Sequence, residues 1–296
     1  KNNTEAKYTS IKNELEGNAT TVKAKKTLNG TLTVTLNKTA TEEVKEEYVC
    51  TLEFNAVERE KSSAELTQFQ KDSWTTISAN VKTGNTNKYN IGDTKEVDLG
   101  DLGTHTVRIA NMSECTNGET SETACGFVVE FENIIAKQKF NSSSTNKGGW
   151  RDSEIRTYVN ETINNLLPSD LQSVISTTKV ISGHGRTTGE TNFETQDKLY
   201  LLSSEEIYSD FASSANAQYD TAVGTSRQLD YYKNQGVTTD NYADAIKQYN
   251  ENNYYWWLRS IDYGYPNSFI LVSNESPWSS IIANNTNGIS PAFRIA

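Results

Sequence analysis

From residue 89 onward the apolar pattern runs strands, then helices, then strands, and this order constrains the fold more than any single motif. Segregated blocks argue for an α+β fold, whereas a doubly wound sheet needs strands and helices in alternation. Residues 89–97 read as two strands about a Gly92-Asp93-Thr94 turn, and 106–109 and 127–131 as further strands. Asp152 or Ser153 can cap a helix from Glu154 that carries Ile155, Tyr158, Val159, Ile163 and Leu166-Leu167 and stops at Pro168. Ser169-Asp170 caps a second helix through Leu171, Val174 and Ile175. Residues 198–202 read as a short buried strand, and Ser203 to Ile207 as a capping-box helix start. Residues 209–253 are Tyr-rich and weakly patterned, which predicts long loops with short helices. Strand-like pieces return at 254–260, 268–273 and 292–295.

The first 70 residues have another texture. Tyr8, Ile11, Leu15, Ala19 and Val22 recur at three- and four-residue steps, predicting a helix over 1–26. Asn29-Gly30 marks a turn, and 31–36 and 48–57 alternate as a hairpin would. We therefore expect a helix–hairpin stem over 1–70 and a larger domain over 71–296. The chain opens at Lys1 with no Met and no signal-peptide pattern, as a processed or trimmed fragment would.

Charge and composition narrow the function. With 28 Lys plus Arg against 38 Asp plus Glu, the net charge is −10 and no basic run exists, which disfavours nucleic acid and anionic membranes as partners. No apolar stretch approaches bilayer length, so no direct membrane insertion is expected. Two His and three Cys are too few for several metal or nucleophile centres. His184, in the polar loop Ser182-Gly183-His184-Gly185-Arg186, and His105, in a strand, lack a motif partner, and no Gly-x-Ser-x-Gly elbow is present. The chain therefore reads as non-enzymatic and without a cofactor. Calcium would need only acidic loop oxygens, but no motif supports it. Glu42-Glu43, Glu46-Glu47 and Glu205-Glu206 read as solvated faces. In contrast, 31 Asn, 36 Thr, 28 Ser and 15 Tyr suit a recognition surface. Strands flank the loop from Cys115 to Cys125, so a hairpin would bring the two within disulfide reach, in an oxidising compartment; two reduced thiols at strand ends are the alternative. Cys50 reads as a buried structural thiol.

Four segments, taken in order, carry a resemblance: Tyr89-x-Ile91-Gly92-Asp93; Gly149-Trp150-x-x-Ser153-x-Ile155-Arg156; Asp197 to Ser203; and Tyr255-Trp256-Trp257-Leu258-Arg259-Ser260 with Gly288-Ile289-Ser290-Pro291-Ala292-Phe293. The set resembles a family of bacterial surface domains of unknown function, common in gut Firmicutes, that follow a membrane anchor or pilin-like stem. Its ending is similar to the C-type-lectin fold of the variable proteins of diversity-generating retroelements. That resemblance implies a structural frame of Trp256, Trp257, Arg259, Gly288, Pro291 and Phe293. Between its two halves it implies a ligand-binding, diversified stretch at Ile261, Asp262, Tyr263, Tyr265, Pro266 and Asn267, and at Trp278, Ser279, Ser280, Ile281 and Ile282. One ring of the Trp256-Trp257 pair is expected in the core, Arg259 is expected to bridge loop carbonyls or an acid, and Tyr263 and Tyr265, flanking Gly264, are expected to be exposed. The function implied is a secreted or surface-displayed adhesin that recognises an extracellular protein or glycan. A pilin-like or phage-tail subunit, self-assembling through the stem, is the alternative, and a cryptic hydrolase the third.

Overall fold

The computed structural model describes residues 66–116, 119–212 and 219–296, together with the backbone of Thr9–Leu15 and Gly30–Leu36. The chain divides into two compact units, Lys1–Arg59 and Glu60–Ala296.

In the first unit β1 (Thr9–Leu15) pairs antiparallel with β2 (Gly30–Leu36), setting Ile11 opposite Val34. This corrects the helix expected over 1–26. Ile11 and Leu15 stand four apart, a step that keeps two residues on one side of a strand as well as of a helix. The β-branched Thr9 and Ile11 favour the strand. β2 falls where its alternation predicts, but its partner is β1; the 48–57 run and Cys50 lie outside the described residues.

The second unit opens with α1 (Gln68–Lys71), closed by a Thr67–Gln70 capping box, and α2 (Trp74–Lys82), capped by Ser73. Only the end of the 89–97 segment is a strand, β3 (Thr94–Asp98). The residues before it fold into turns, with Gly92 at φ 89° and Asp93 N–H donating to the Asn90 carbonyl.

β3 joins β4 (Thr104–Asn111), β5 (Phe127–Phe131) and β15 (Ala292–Ile295) in an antiparallel sheet ordered β15-β5-β4-β3. Cys115 and Cys125 are disulfide-bonded between β4 and β5, which resolves the alternative the sequence left open. A five-stranded sheet has the order β13 (Ser279–Ile282), β12 (Ser268–Val272), β11 (Trp256–Ile261), β14 (Thr286–Ile289), β6 (Ala136–Lys139). Only β11 and β14 run parallel in it, with Trp256 opposite Gly288. Two ribbons complete the described strands: β7 (Thr178–Ser182) with β8 (Phe193–Asp197), and β9 (Lys247–Tyr249) with β10 (Asn252–Tyr254).

Ser153 caps α3 (Glu154–Thr157), which continues through a π-helical stretch, Tyr158–Ile163, into α4 (Asn164–Leu166). α5 (Ser169–Gln172) is one turn whose N-cap is Pro168, not Ser169 or Asp170. α6 (Ser204–Ile207) has the capping box its sequence predicts, Ser203 with Glu206, and α7 is Asp230–Asn234. Residues 199–202 are fully buried but make a single bridge, Tyr200 to Ala292, and so do not form a strand. This mixture of antiparallel sheets and short helices fits the α+β class.

Aromatic rings fill the core of this unit. Phe140 stacks on Phe269 at 3.5 Å between centroids and meets Trp257 edge-on at 5.5 Å. Phe69, Trp74, Tyr89, Phe127 and Phe293 form a second group with centroids 5.7 to 6.3 Å apart.

Candidate functional site

The two halves of the expected frame are buried around the stretch they were expected to carry. Trp256, Trp257, Arg259, Gly288, Pro291 and Phe293 all lie inside. Both indoles are enclosed, and their N–H groups donate to the carbonyls of Ala245 and Gln138. A Cβ on Gly288 would stand 2.7 Å from the Ile134 side chain, so only glycine lets β14 approach this closely. Arg259 uses all five donors. Its partners are both oxygens of Glu206 at 2.5 and 2.6 Å, the carbonyls of Leu201 and Ile181, and Thr123 Oγ1. Glu206 is thus fully buried, which corrects the reading of Glu205-Glu206 as a solvated face.

Between the frame halves the chain leaves β11, loops through 262–267, returns along β12 and comes back as β13. Two positions expected at the surface are interior. Ile261 is core, and Asp262 is buried because its carboxylate fastens the loop, accepting from Gly264 N–H at 2.8 Å and from the Ser280 hydroxyl. Tyr263, Tyr265 and Ile282 are 38, 61 and 38 % exposed, and Pro266 is exposed with them. Asn267, Trp278, Ser279, Ser280 and Ile281 are half-buried.

Two other segments complete this face. The polar 182–186 loop is held by Thr221, whose hydroxyl accepts from His184 N–H at 2.9 Å and donates to the His184 carbonyl at 3.1 Å. A Cβ on Gly185 would come within 2.5 Å of Asn146 Oδ1, so the loop lies tightly on that residue. His184 meets Tyr263 edge-on at 5.9 Å, and the Arg186 guanidinium lies 5.7 Å over the same ring. Tyr219, from the second segment, packs on Trp278 at 5.2 Å, and its carbonyl accepts from Tyr263 N–H. Buried Asn146 clamps the whole: its amide donates to the carbonyls of Asp262, Tyr265 and Ser268 at 2.7 to 3.2 Å. The sequence reading passed over Tyr219 and Asn146. The paired glycines around His184 were the one local sign of a close approach.

A family model described as a domain of unknown function (DUF6273) matches residues 127–296. The chain belongs to this family. The DUF6273 match begins at β5 and takes in the whole five-stranded sheet and every segment of the aromatic face. No curated protein matches, and no solved structure matches. Among the described residues no group of three or more His, Cys, Asp or Glu side chains is placed to hold a metal ion, and no helix is long and apolar enough to cross a membrane.

One titration bears on the face. Burial pushes the Glu205 carboxyl up to about 7, against the Gly224 N–H that both its oxygens share at 3.0 and 3.1 Å, in the segment that carries Tyr219. A carboxyl whose folded value exceeds its unfolded value of about 4.3 adds stability below that pH and loses it as the pH climbs toward 7. Discounted for partial exposure, the loss is about 1–2 kcal/mol. Urea melts of the Glu205→Gln variant should lack this part of the wild-type difference between pH 5 and 7.5. The same pH dependence in both proteins would show that Glu205 titrates normally.

Proposed function

We propose that the second unit is a non-enzymatic, extracellular adhesin-like domain of C-type-lectin-like architecture, and that the face around Tyr263 and Tyr265 binds an extracellular protein or glycan. The observation that carries this reading is an exposed aromatic surface on a fixed backbone. Tyr265 is the most exposed large hydrophobic side chain of the described residues, yet its own carbonyl and those of Asp262 and Ser268 are clamped by Asn146. A ring presented this way offers contact area at little entropic cost on binding. A buried frame on either side of an outward loop and strand supports the lectin-like architecture, and a diversified stretch would then be confined to the exposed positions, Tyr263, Tyr265, Pro266 and Ile282.

The test is a binding screen of the intact chain against glycans and host proteins, repeated with Tyr263→Ala and Tyr265→Ala. Each variant should keep the wild-type melting temperature and lose about 10- to 100-fold in affinity, the range of an interface hot spot. Unchanged binding would remove the two tyrosines from the site. Sibling sequences offer a second check: differences scattered evenly over the domain would sink the diversified-stretch proposal.

A further inference from the structure

Arginine usage singles out one side chain. Among the described residues Arg108, Arg151, Arg156, Arg227, Arg259 and Arg294 each hold a carboxylate oxygen within 3.2 Å. Arg186 does not. Its one contact of this kind is with the face of Tyr263, 5.7 Å from the ring centroid. In a chain with 38 acidic residues against 28 basic ones, six of these seven guanidinium groups have found an acid, and the exception stands exposed on the aromatic face. Its backbone is not loose. Thr221 grips His184 from both sides, and Gly183 and Gly185 are pressed against Thr221 and Asn146. The five donors of Arg186 therefore project from a fixed loop, and the guanidinium lies within attractive range of the Tyr263 ring face. A guanidinium held in this way suits a planar or tetrahedral oxyanion, which it can grip with two parallel N–H bonds.

The neighbouring groups narrow the ligand further. Tyr265, the most exposed ring, stacks on no aromatic or cationic group among the described residues, so a flat apolar surface is left two residues along the loop from the Tyr263 ring that meets the cation. The other polar groups of the face are the Asn267 amide and the His184 ring, which donates from Nδ1 to the Gly185 carbonyl, while the Asp262 carboxylate is buried and engaged by Gly264 N–H and the Ser280 hydroxyl. An exposed aromatic plane, small hydrogen-bonding partners and one guanidinium match a sugar ring that carries an acid better than an extended peptide, which would seek unpaired backbone or a deep apolar pocket. We infer that the face binds an anionic carbohydrate, whose carboxylate or sulfate is held by Arg186 while a sugar ring stacks on Tyr265. This rests on the binding reading of the face given above.

The experiment is calorimetric titration of the intact chain with three probes: a hexuronic-acid trimer, a sialylated trisaccharide and a sulfated tetrasaccharide. Each is paired with its carboxyl-reduced, desialylated or desulfated form, and an acidic peptide of equal charge is run beside them. The expected result is binding of at least one anionic sugar, weakened by salt and lost in its neutral form. Arg186→Gln should lower that affinity about 10- to 100-fold at an unchanged melting temperature. Arg186→Lys, which keeps the charge but not the fork, should recover only part of it. The paired probes show whether carboxylate or sulfate is the group held. Binding of the neutral forms alone, of the acidic peptide alone, of none of the three sugars, or binding indifferent to Arg186→Gln overturns the inference. The wider reading of the face falls separately, when Tyr265→Ala also leaves every observed interaction unchanged.

Discussion

Replacing Glu206 by alanine is expected to cost about 3–5 kcal/mol, a large part of the 5–15 kcal/mol that holds an ordinary domain together. The carboxylate sits wholly inside and accepts from Arg259 at both oxygens, from Ser226 and from Ser203 N–H, and Thr123 donates to it as well. Removing it leaves the Arg259 guanidinium charged, fully buried and facing a void. A guanidinium does not escape by losing its proton, so the penalty is the desolvation of an unpaired charge. Half of the capping box at the start of α6 goes with it, because Ser203 N–H loses its acceptor while the Ser203 hydroxyl keeps its bond from the residue-206 N–H. Chemical denaturation should show the midpoint falling with little change in slope. The double variant Glu206→Leu, Arg259→Met is the decisive control. If the single loss comes from the stranded charge, the double variant should recover most of it, because apolar groups of similar volume often replace a buried ion pair at no net cost. A double variant as unstable as the single one would mean instead that the carbonyls of Leu201 and Ile181 need the guanidinium as a hydrogen-bond donor.

This ion pair marks where the sequence stops being informative. The Ser203–Glu206 capping box is local, three residues end to end, and could be read directly. That the same glutamate anchors Arg259, 53 residues later, could not, and Glu205-Glu206 therefore looked like a solvated pair. Strands β5, β11, β12 and β15 were legible because each is a dense apolar run buried on both faces. β13 and β14 were not: Ser-Ser-Ile-Ile and Thr-Asn-Gly-Ile lack alternation and are strands because β12 and β6 offer them a partner. β1 was misread because a four-residue step fits both periods. In the candidate site, exposure of Tyr263 and Tyr265 followed from a glycine between two polar-loop tyrosines. The burial of Asp262 did not, since its bond from Gly264 N–H is an ordinary local turn contact and its other partner, Ser280, becomes a neighbour only once β13 folds back. Asn146, which clamps the loop from 116 residues upstream of Asp262, carried no local signal at all.

Replacing Glu130 by glutamine should be comparably costly, about 3–5 kcal/mol, and should also change how stability responds to pH. Glu130, on β5, is fully buried between two cations, Arg108 at 2.9 Å and Lys247 at 2.7 Å, and Tyr232 donates to it as well. Burial alone would raise its carboxyl, but Arg108 and Lys247 outweigh burial and hold it below the usual range. Lys247 shows the opposite balance: burial lowers its ammonium to about 8, and Glu130 only partly restores it. An amine whose folded value lies below its unfolded value of about 10.4 binds protons more readily when unfolded, so stability rises with pH across that window. In the glutamine variant only the charge of Glu132 still opposes burial, and the charge of Arg108 pushes in the same direction as burial, so the folded value of Lys247 moves below 8 and the window opens toward neutral pH. Thermal melts between pH 6 and 9 should then show the variant regaining stability faster than wild type as the pH rises. The Phe131 carbonyl and Ser290 hydroxyl remain beside the neutral amine, so the fold has partners for it in either state. Parallel curves for the two proteins would show that Lys247 stays charged without Glu130, and that Trp256, whose ring lies 4.7 Å beneath the ammonium, together with those two oxygens is sufficient to hold it.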